Sequence, residues 1–243
     1  VKKILISILL TLSASPLIAQ SAFEGFYGQI STGYEKNSYS SINPTWSVSN
    51  GINGITGSGS APNQSSSGAP LILGVGYNYA VSNEYLVGIG FDYSALSQNT
   101  SNFSQSSINS GGATATIANM SYKVSNRMNL FLTPSYAINS NSLVYFKAGY
   151  SLQQLQYSQG ADADLGLTSG FNSSKNVNGY ILGLGYKQFI TNGLYGFVEG
   201  NYMSYSSSSI SGTGMVGGVV PITFITSPSL NAYNLLVGVG YKF

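Results

Sequence analysis

The 243-residue chain contains no cysteine and no histidine, and only 7% of its residues are charged. Without cysteine there is no disulfide framework and no thiolate metal site. Without histidine the commonest general base and the commonest metal ligand are missing, so neither a Ser-His-acid triad nor a His-Asp pair can be assembled. Soluble domains carry about 25% charge; a chain this depleted would present an unusually uncharged surface to water. The few charges nearly cancel, with 9 Lys+Arg against 7 Asp+Glu. Lys2 and Lys3 supply the small basic excess, so no basic face for nucleic acid remains. Nor does any stretch beyond the N-terminus reach the roughly 18 apolar residues of a membrane-spanning helix. Tryptophan occurs once, at Trp46, whereas glycine (30), tyrosine (19) and phenylalanine (11) abound.

The first segment reads as an export address. Lys2 and Lys3 precede the apolar stretch Ile4 to Leu12, and the small-residue site Leu17-Ile18-Ala19 follows. Residues 1–19 therefore have the layout of a secretory signal peptide, with cleavage after Ala19 and Ala22 as the second choice. The apolar part is too short to cross about 30 Å of hydrocarbon. Residues 20–243 read as one domain.

Beyond Ala22 the dominant signal has period two, the mark of β-strands. Leu71, Leu73, Val75, Tyr77 and Tyr79 oppose Ile72, Gly74, Gly76 and Asn78; Tyr85, Val87, Ile89, Phe91 and Tyr93 oppose Leu86, Gly88, Gly90 and Asp92. The polar faces are too small and too poor in charge to be the solvated outside of a soluble barrel. Apolar side chains facing lipid, with small and polar ones facing a lumen, resolve the conflict. Strands are expected at about 23–35, 70–80, 84–94, 114–138, 142–158, 174–189, 193–206 and 229–243. From Ala113 to Ile138 the alternation runs through without a slip, favouring one long strand and an even count. Short connectors at Val81-Ser82-Asn83, Asn139-Ser140-Asn141 and Ile190-Thr191-Asn192 alternate with long Ser/Asn/Gly-rich ones near 36–69, 95–113, 159–173 and 207–228. The expected fold class is all-β: an up-and-down antiparallel transmembrane barrel of eight strands, with short periplasmic turns and four long polar extracellular loops. Strands four to six are longer than a crossing requires and should project beyond the lipid.

Gly-x-Gly-aromatic pieces recur at Leu73–Tyr77, Val87–Phe91, Leu182–Tyr186 and Val237–Tyr241. They lack the third glycine and the following helix of a dinucleotide site; the formal match at Gly212, Gly214 and Gly217 leads to Pro221 and not to a helix. Asp162 and Asp164 make an acidic pair, far short of the six to eight ligands usual for Ca²⁺. No cofactor, metal or catalytic residue is expected. The charges Asp92, Lys123, Arg127, Lys147, Lys187 and Glu199 all fall on the lumen parity. Counted from the short turns, Lys147 and Glu199 stand at similar heights, and Asp92 and Arg127 stand higher, so two ion pairs are expected to plug the bore. Independent solvation in a wet interior is the plain alternative. Trp46, with Ile42, Pro44, Ile52 and Ile55 nearby, either anchors a partner or packs on the barrel rim.

The chain from about Phe23 to Phe243 resembles the OmpA/opacity-type family of small outer-membrane β-barrels. The most specific pieces are the terminal Leu235-Leu-Val-Gly-Val-Gly-Tyr-Lys-Phe243 and the pair Leu132–Ile138 and Leu143–Tyr150. The resemblance implies location in the bacterial outer membrane and contact with its lipid and lipopolysaccharide but does not fix a function; the missing histidine is what leads to the expectation of no enzymatic activity. The resemblance also implies that Leu235, Val237, Val239, Tyr241 and Phe243 form the signal read by the outer-membrane assembly machinery. A surface-exposed structural or interaction protein, binding a host or environmental ligand through its loops, is the expected role; a narrow channel for small solutes or ions is the alternative. A soluble lipocalin-like barrel would expose the apolar faces to water.

Overall fold

The computed structural model describes residues 21–49, 54–163 and 166–243; the expected signal peptide, Ile52 and Asp164 lie outside the described residues. β1 (Gly25–Ser40) is followed, in the first long connection, by β2 (Thr45–Ser49), β3 (Gly54–Ser60) and β4 (Gln64–Gly68). β5 (Ile72–Ala80) and β6 (Tyr85–Ser94) form a hairpin, and β7 (Gln98–Asn99) and β8 (Phe103–Asn109) occupy the second long connection. β9 (Thr114–Asn139) and β10 (Ser142–Gln159) form the longest hairpin, and β11 (Leu167–Ser169) follows. β12 (Phe171–Phe189) and β13 (Leu194–Tyr205) pair next, then β14 (Ile210–Val216), β15 (Val220–Thr226) and the last strand, β16 (Ser229–Lys242).

Eight of these strands close a ring in the order β1-β5-β6-β9-β10-β12-β13-β16 and back to β1. Every neighbouring pair is antiparallel, and β16 seals the ring against β1 from Lys242↔Tyr27 to Ser229↔Ser40. Closure leaves no backbone edge in the wall, the condition a β-structure must meet in hydrocarbon. In this part of the wall the apolar side chains point outward: Val75 is 58% exposed, Ile89 53%, Leu184 68% and Val237 57%. Aromatic rings fringe the belt at both ends. Tyr34 and Tyr233 meet on the loop side, as do Tyr180 and Tyr202; Phe26 and Tyr77, Tyr85 and Tyr136, and Tyr241 and Phe243 meet on the turn side. From Tyr233 to Tyr241 the strand rises about 26 Å at ~3.3 Å per residue, and tilt brings this near the height of a lipid-facing band.

The four long connections are not simply polar loops. Most of their length is strand: β8-β3-β2-β15-β14-β11 form a continuous sheet joined through β8 to β9. Two further strands pair with the ring, β4 with the upper end of β1 and β7 with that of β9. The Ser/Gly/Thr composition of these segments hides their pairing, because small residues carry little apolar periodicity. The result is a head on the barrel, whose core includes Tyr39, Ile117, Met120, Tyr122, Val124, Leu155, Tyr157, Ile210, Ile222 and Phe224.

The wall inverts its polarity between belt and head. On β10 the sequence itself changes parity: Val144, Phe146 and Tyr150 face out, whereas Leu155 and Tyr157 face in. On β9 the sequence parity never changes, as expected, but the backbone does. Met128 pairs with Leu152 and Ser125 with Gln154, so β9 carries one extra residue there, and Asn126 sits at φ 52°. Leu130 and Leu132 below the bulge face out, while Met120, Tyr122 and Val124 above it are buried. A second irregularity, with Asn119 at φ 60°, returns Ile117 to the interior. Asparagine tolerates this left-handed conformation; a β-branched residue does not. Replacing Asn126 by Val is expected to lower folding stability by about 1–2 kcal/mol, and replacing it by Gly to leave stability within a few tenths, measured by urea unfolding from lipid vesicles.

Candidate functional site: a sealed ion network in the lumen

The bore is filled by side chains that the closed wall brings to one axis. Lys147, from β10, reaches strands on either side: its Nζ donates to Asp92 Oδ2 on β6 at 2.8 Å and to Glu199 Oε1 on β13 at 3.0 Å. The ammonium also stands 4.0 Å from the centre of the Phe131 ring. Tyr145 donates its hydroxyl to Glu199 Oε2 at 2.7 Å, and Asn201 Nδ2 donates to Glu199 Oε1 at 2.7 Å. All are buried.

A second cluster lies one level nearer the head. The Arg127 guanidinium pairs with Glu35, donates from Nη2 to Asn37 Oδ1 at 2.8 Å, and donates from Nε to Gln153 Oε1 at 3.0 Å. Asn37 and Gln98 both donate to Glu35 Oε1, at 3.2 Å each. Asn234 links the two levels, accepting from Asn201 at 2.9 Å and donating to Glu35 Oε2 at 3.3 Å. A hydrogen-bonded path therefore runs from Asp92 through Lys147, Glu199, Asn201, Asn234 and Glu35 to Arg127.

The arrangement differs from expectation in four places. Lys147 and Glu199 do meet, but Asp92 belongs with them and not with Arg127; the partner of Arg127 is Glu35. Glu35 was legible: β1 continues to Ser40, and Glu35 shares the parity of Tyr27, Gln29 and Ser31. It stands at the last position of the expected strand 23–35, where it was not counted among the strand charges. Lys123 is not in the lumen, because the bulge at Asn126 turns its half-buried side chain to the outer face, opposite Tyr122 and Val124. Asp162, of the acidic pair in the third long connection, is buried and accepts from the Ala118 amide at 2.8 Å.

Lys187 is buried nearer the turn end. Its Nζ lies 4.1, 5.0 and 5.2 Å from the ring centres of Tyr27, Tyr195 and Tyr145, and donates to Gln29 Oε1 at 3.3 Å. Ring faces attract an ammonium through their quadrupole, most strongly when water is excluded. With Lys187 included, the lumen holds the cations Arg127, Lys147 and Lys187 and the carboxylates Glu35, Asp92 and Glu199, and it is formally neutral.

The lumen glycines do not leave open space. A Cβ on Gly90 would lie 2.5 Å from the Phe131 ring, on Gly185 2.1 Å from that of Tyr145, and on Gly240 2.3 Å from that of Tyr195. The Gly-x-Gly-aromatic pieces are thus sockets for rings from neighbouring strands. Apolar side chains cap the network at both ends. Phe23, Leu86, Leu143 and Tyr145 cluster at the turn end, and the head core lies at the other. In the head, burial pushes the Tyr122 phenol up to about 12, and its hydroxyl pairs with Thr226 at 2.9 Å.

No protein-family model matches the chain, and no curated protein sequence does. The chain is similar to several solved structures. OmpT, the outer membrane protease of Escherichia coli, is 12% identical over 94% of this chain and 100% of its own, with a TM-score of 0.49. The outer membrane protein OprG of Pseudomonas aeruginosa is 14% identical over 90% and 97%, TM-score 0.45. Ail, the attachment invasion locus protein of Yersinia pestis, is 14% identical over 90% and 99%, TM-score 0.41.

The closed ring, the outward apolar belt and its aromatic fringes define an outer-membrane-type transmembrane β-barrel.

Two pairs of variants test the interior. Lys147→Met leaves two buried carboxylates facing one another and is expected to cost about 3–5 kcal/mol; adding Asp92→Asn and Glu199→Gln restores most of it, read from urea midpoints in vesicles. Gly240→Ala should cost about 1–3 kcal/mol by overpacking. Combined with Tyr195→Leu, the loss should be smaller than the sum of the single losses, because the socket and its ring are removed together.

Proposed function

We propose that the chain is a surface-exposed structural and interaction protein, a non-enzymatic barrel that carries a β-rich head outside the membrane. The observation that carries this reading is the filled interior: a neutral, hydrogen-bonded ion network held between two apolar plugs, while the chain spends eight further strands on the head. A rigid wall that anchors and displays needs a packed bore, and an eight-stranded ring has little more interior than its side chains occupy. The absence of histidine from the sequence and the pairing of the lumen carboxylates support the non-enzymatic part. The belt contacts lipid and, in the outer leaflet, lipopolysaccharide. A host or environmental ligand binds at the head.

Residues 20–243 serve as the barrel domain after removal of 1–19. The terminal Leu235, Val237, Val239, Tyr241 and Phe243, all exposed on one face of β16 and its end, serve as the signal for the assembly machinery. The channel reading has no comparable support, since the glycine-lined space it requires is occupied by rings. Planar-bilayer recordings on purified protein are expected to be silent at moderate voltage; steady unitary steps would instead establish a narrow channel and remove the display reading.

A further inference from the structure

The head contains a cavity of about 300 Å³ that the display role does not use. Its walls come from β2, β3, β8, β9, β11, β14 and β15, so it exists only because the long connections fold as a sheet. Trp46, Ile55, Ile117, Leu167, Ile222 and Phe224 supply most of the apolar lining. The polar groups stand together on the β8–β9 side: Ser107, Asn109 and Thr114. No lysine, arginine, aspartate or glutamate lines it. Ile55 is 48% exposed, and Ala113, Thr114 and Ala115 are exposed, so the cavity opens toward the outer medium between β3 and the β8–β9 turn.

We propose that this cavity is a binding site for a small, uncharged, largely apolar molecule of one to three rings, carrying at most one hydrogen-bonding group. Three observations select that class. The volume is at the lower end of ligand pockets, about 300–1,000 Å³, and about twice the ~150 Å³ cavity that admits benzene. The lining offers aromatic and branched aliphatic surface, with no partner for a charge. The polar residues are largely engaged already. Trp46 Nε1 donates to Ser107 Oγ at 2.6 Å, Ser107 Oγ donates to Ser58 O at 3.3 Å, and Asn109 Oδ1 accepts from the amides of Gly111 and Ala113 at 2.9 Å each. Deeper on β8, on the same face as Ser107, Gln105 is 1% exposed with neither carboxamide atom hydrogen-bonded. The site is independent of whether the lumen conducts.

Trp46 is the only tryptophan in the chain and lines the cavity, so its emission reports on this part of the head, and the cavity-filling variants assign the signal to the site. The probe is N-phenyl-1-naphthylamine, an uncharged three-ring amine that accepts energy from tryptophan, added to the full-length barrel in phosphatidylcholine vesicles. The expected result is saturable quenching of Trp46 with sensitised probe emission above that of empty vesicles. Val48→Phe and, separately, Ala115→Phe fill the cavity and should weaken the saturable component at least tenfold. Both should keep the heat-modifiable gel migration of a folded barrel. The anionic 8-anilinonaphthalene-1-sulfonate should bind at least tenfold more weakly than the amine. Non-saturable quenching equal to lipid partitioning, or saturable quenching unchanged in both folded filled variants, would overturn the proposal.

Discussion

Hydrocarbon against the outer wall is the constraint from which the other features follow. It tolerates neither an unpaired backbone group nor an exposed charge, so the strands must close and each ionisable group in the belt must turn inward. The bore of a small barrel cannot offer bulk water in return. Lys147 and Arg127 therefore share one hydrogen-bonded lattice with three carboxylates, asparagine, glutamine and tyrosine, and Lys187 sits beside it among tyrosine rings and Gln29. The glycines complete the arrangement by giving up their own volume to rings from adjacent strands, a complementarity that only a fixed strand register can maintain.

Above the belt the solvent on the outside changes, and the wall changes with it. The head obeys the rule of a soluble sheet, with apolar side chains inward. β10 makes the transition in its sequence and β9 makes it in its backbone, through an asparagine at φ 52°. Two adjacent strands thus solve one problem by different means, and the bulge on β9 spares the strand any change of parity across the boundary. The same inversion builds the apolar head core and, within it, the lined cavity.

The eight ring strands were legible because lipid imposes a bulky, strictly alternating face, which period-two counting detects within a few residues of the observed ends. The meeting of Lys147 and Glu199 followed from height counting alone. What escaped shares a physical cause: backbone irregularity and small-residue pairing leave no mark in apolar periodicity. Asn126 looks like any other polar position, so Lys123 was placed on the wrong side of the wall. Gly54–Ser60 and Ile210–Val216 look like loop, yet every residue of both pairs with a neighbouring strand on at least one side. Glu35 was missed although it closes the expected strand 23–35 on the lumen parity, and Asp92 was consequently matched to the wrong cation.

The most direct test of the inverted wall is a spin-label scan along β9, from Thr114 to Ile138, comparing collision with oxygen and with a water-soluble nickel complex. The account requires labels at Leu130 and Leu132 to contact lipid, labels at Ser121 and Lys123 to contact water, and the two-residue oscillation to slip by one at Asn126. An unbroken oscillation through Asn126, with Tyr122 and Val124 on the same side as Leu130 and Leu132, would contradict it.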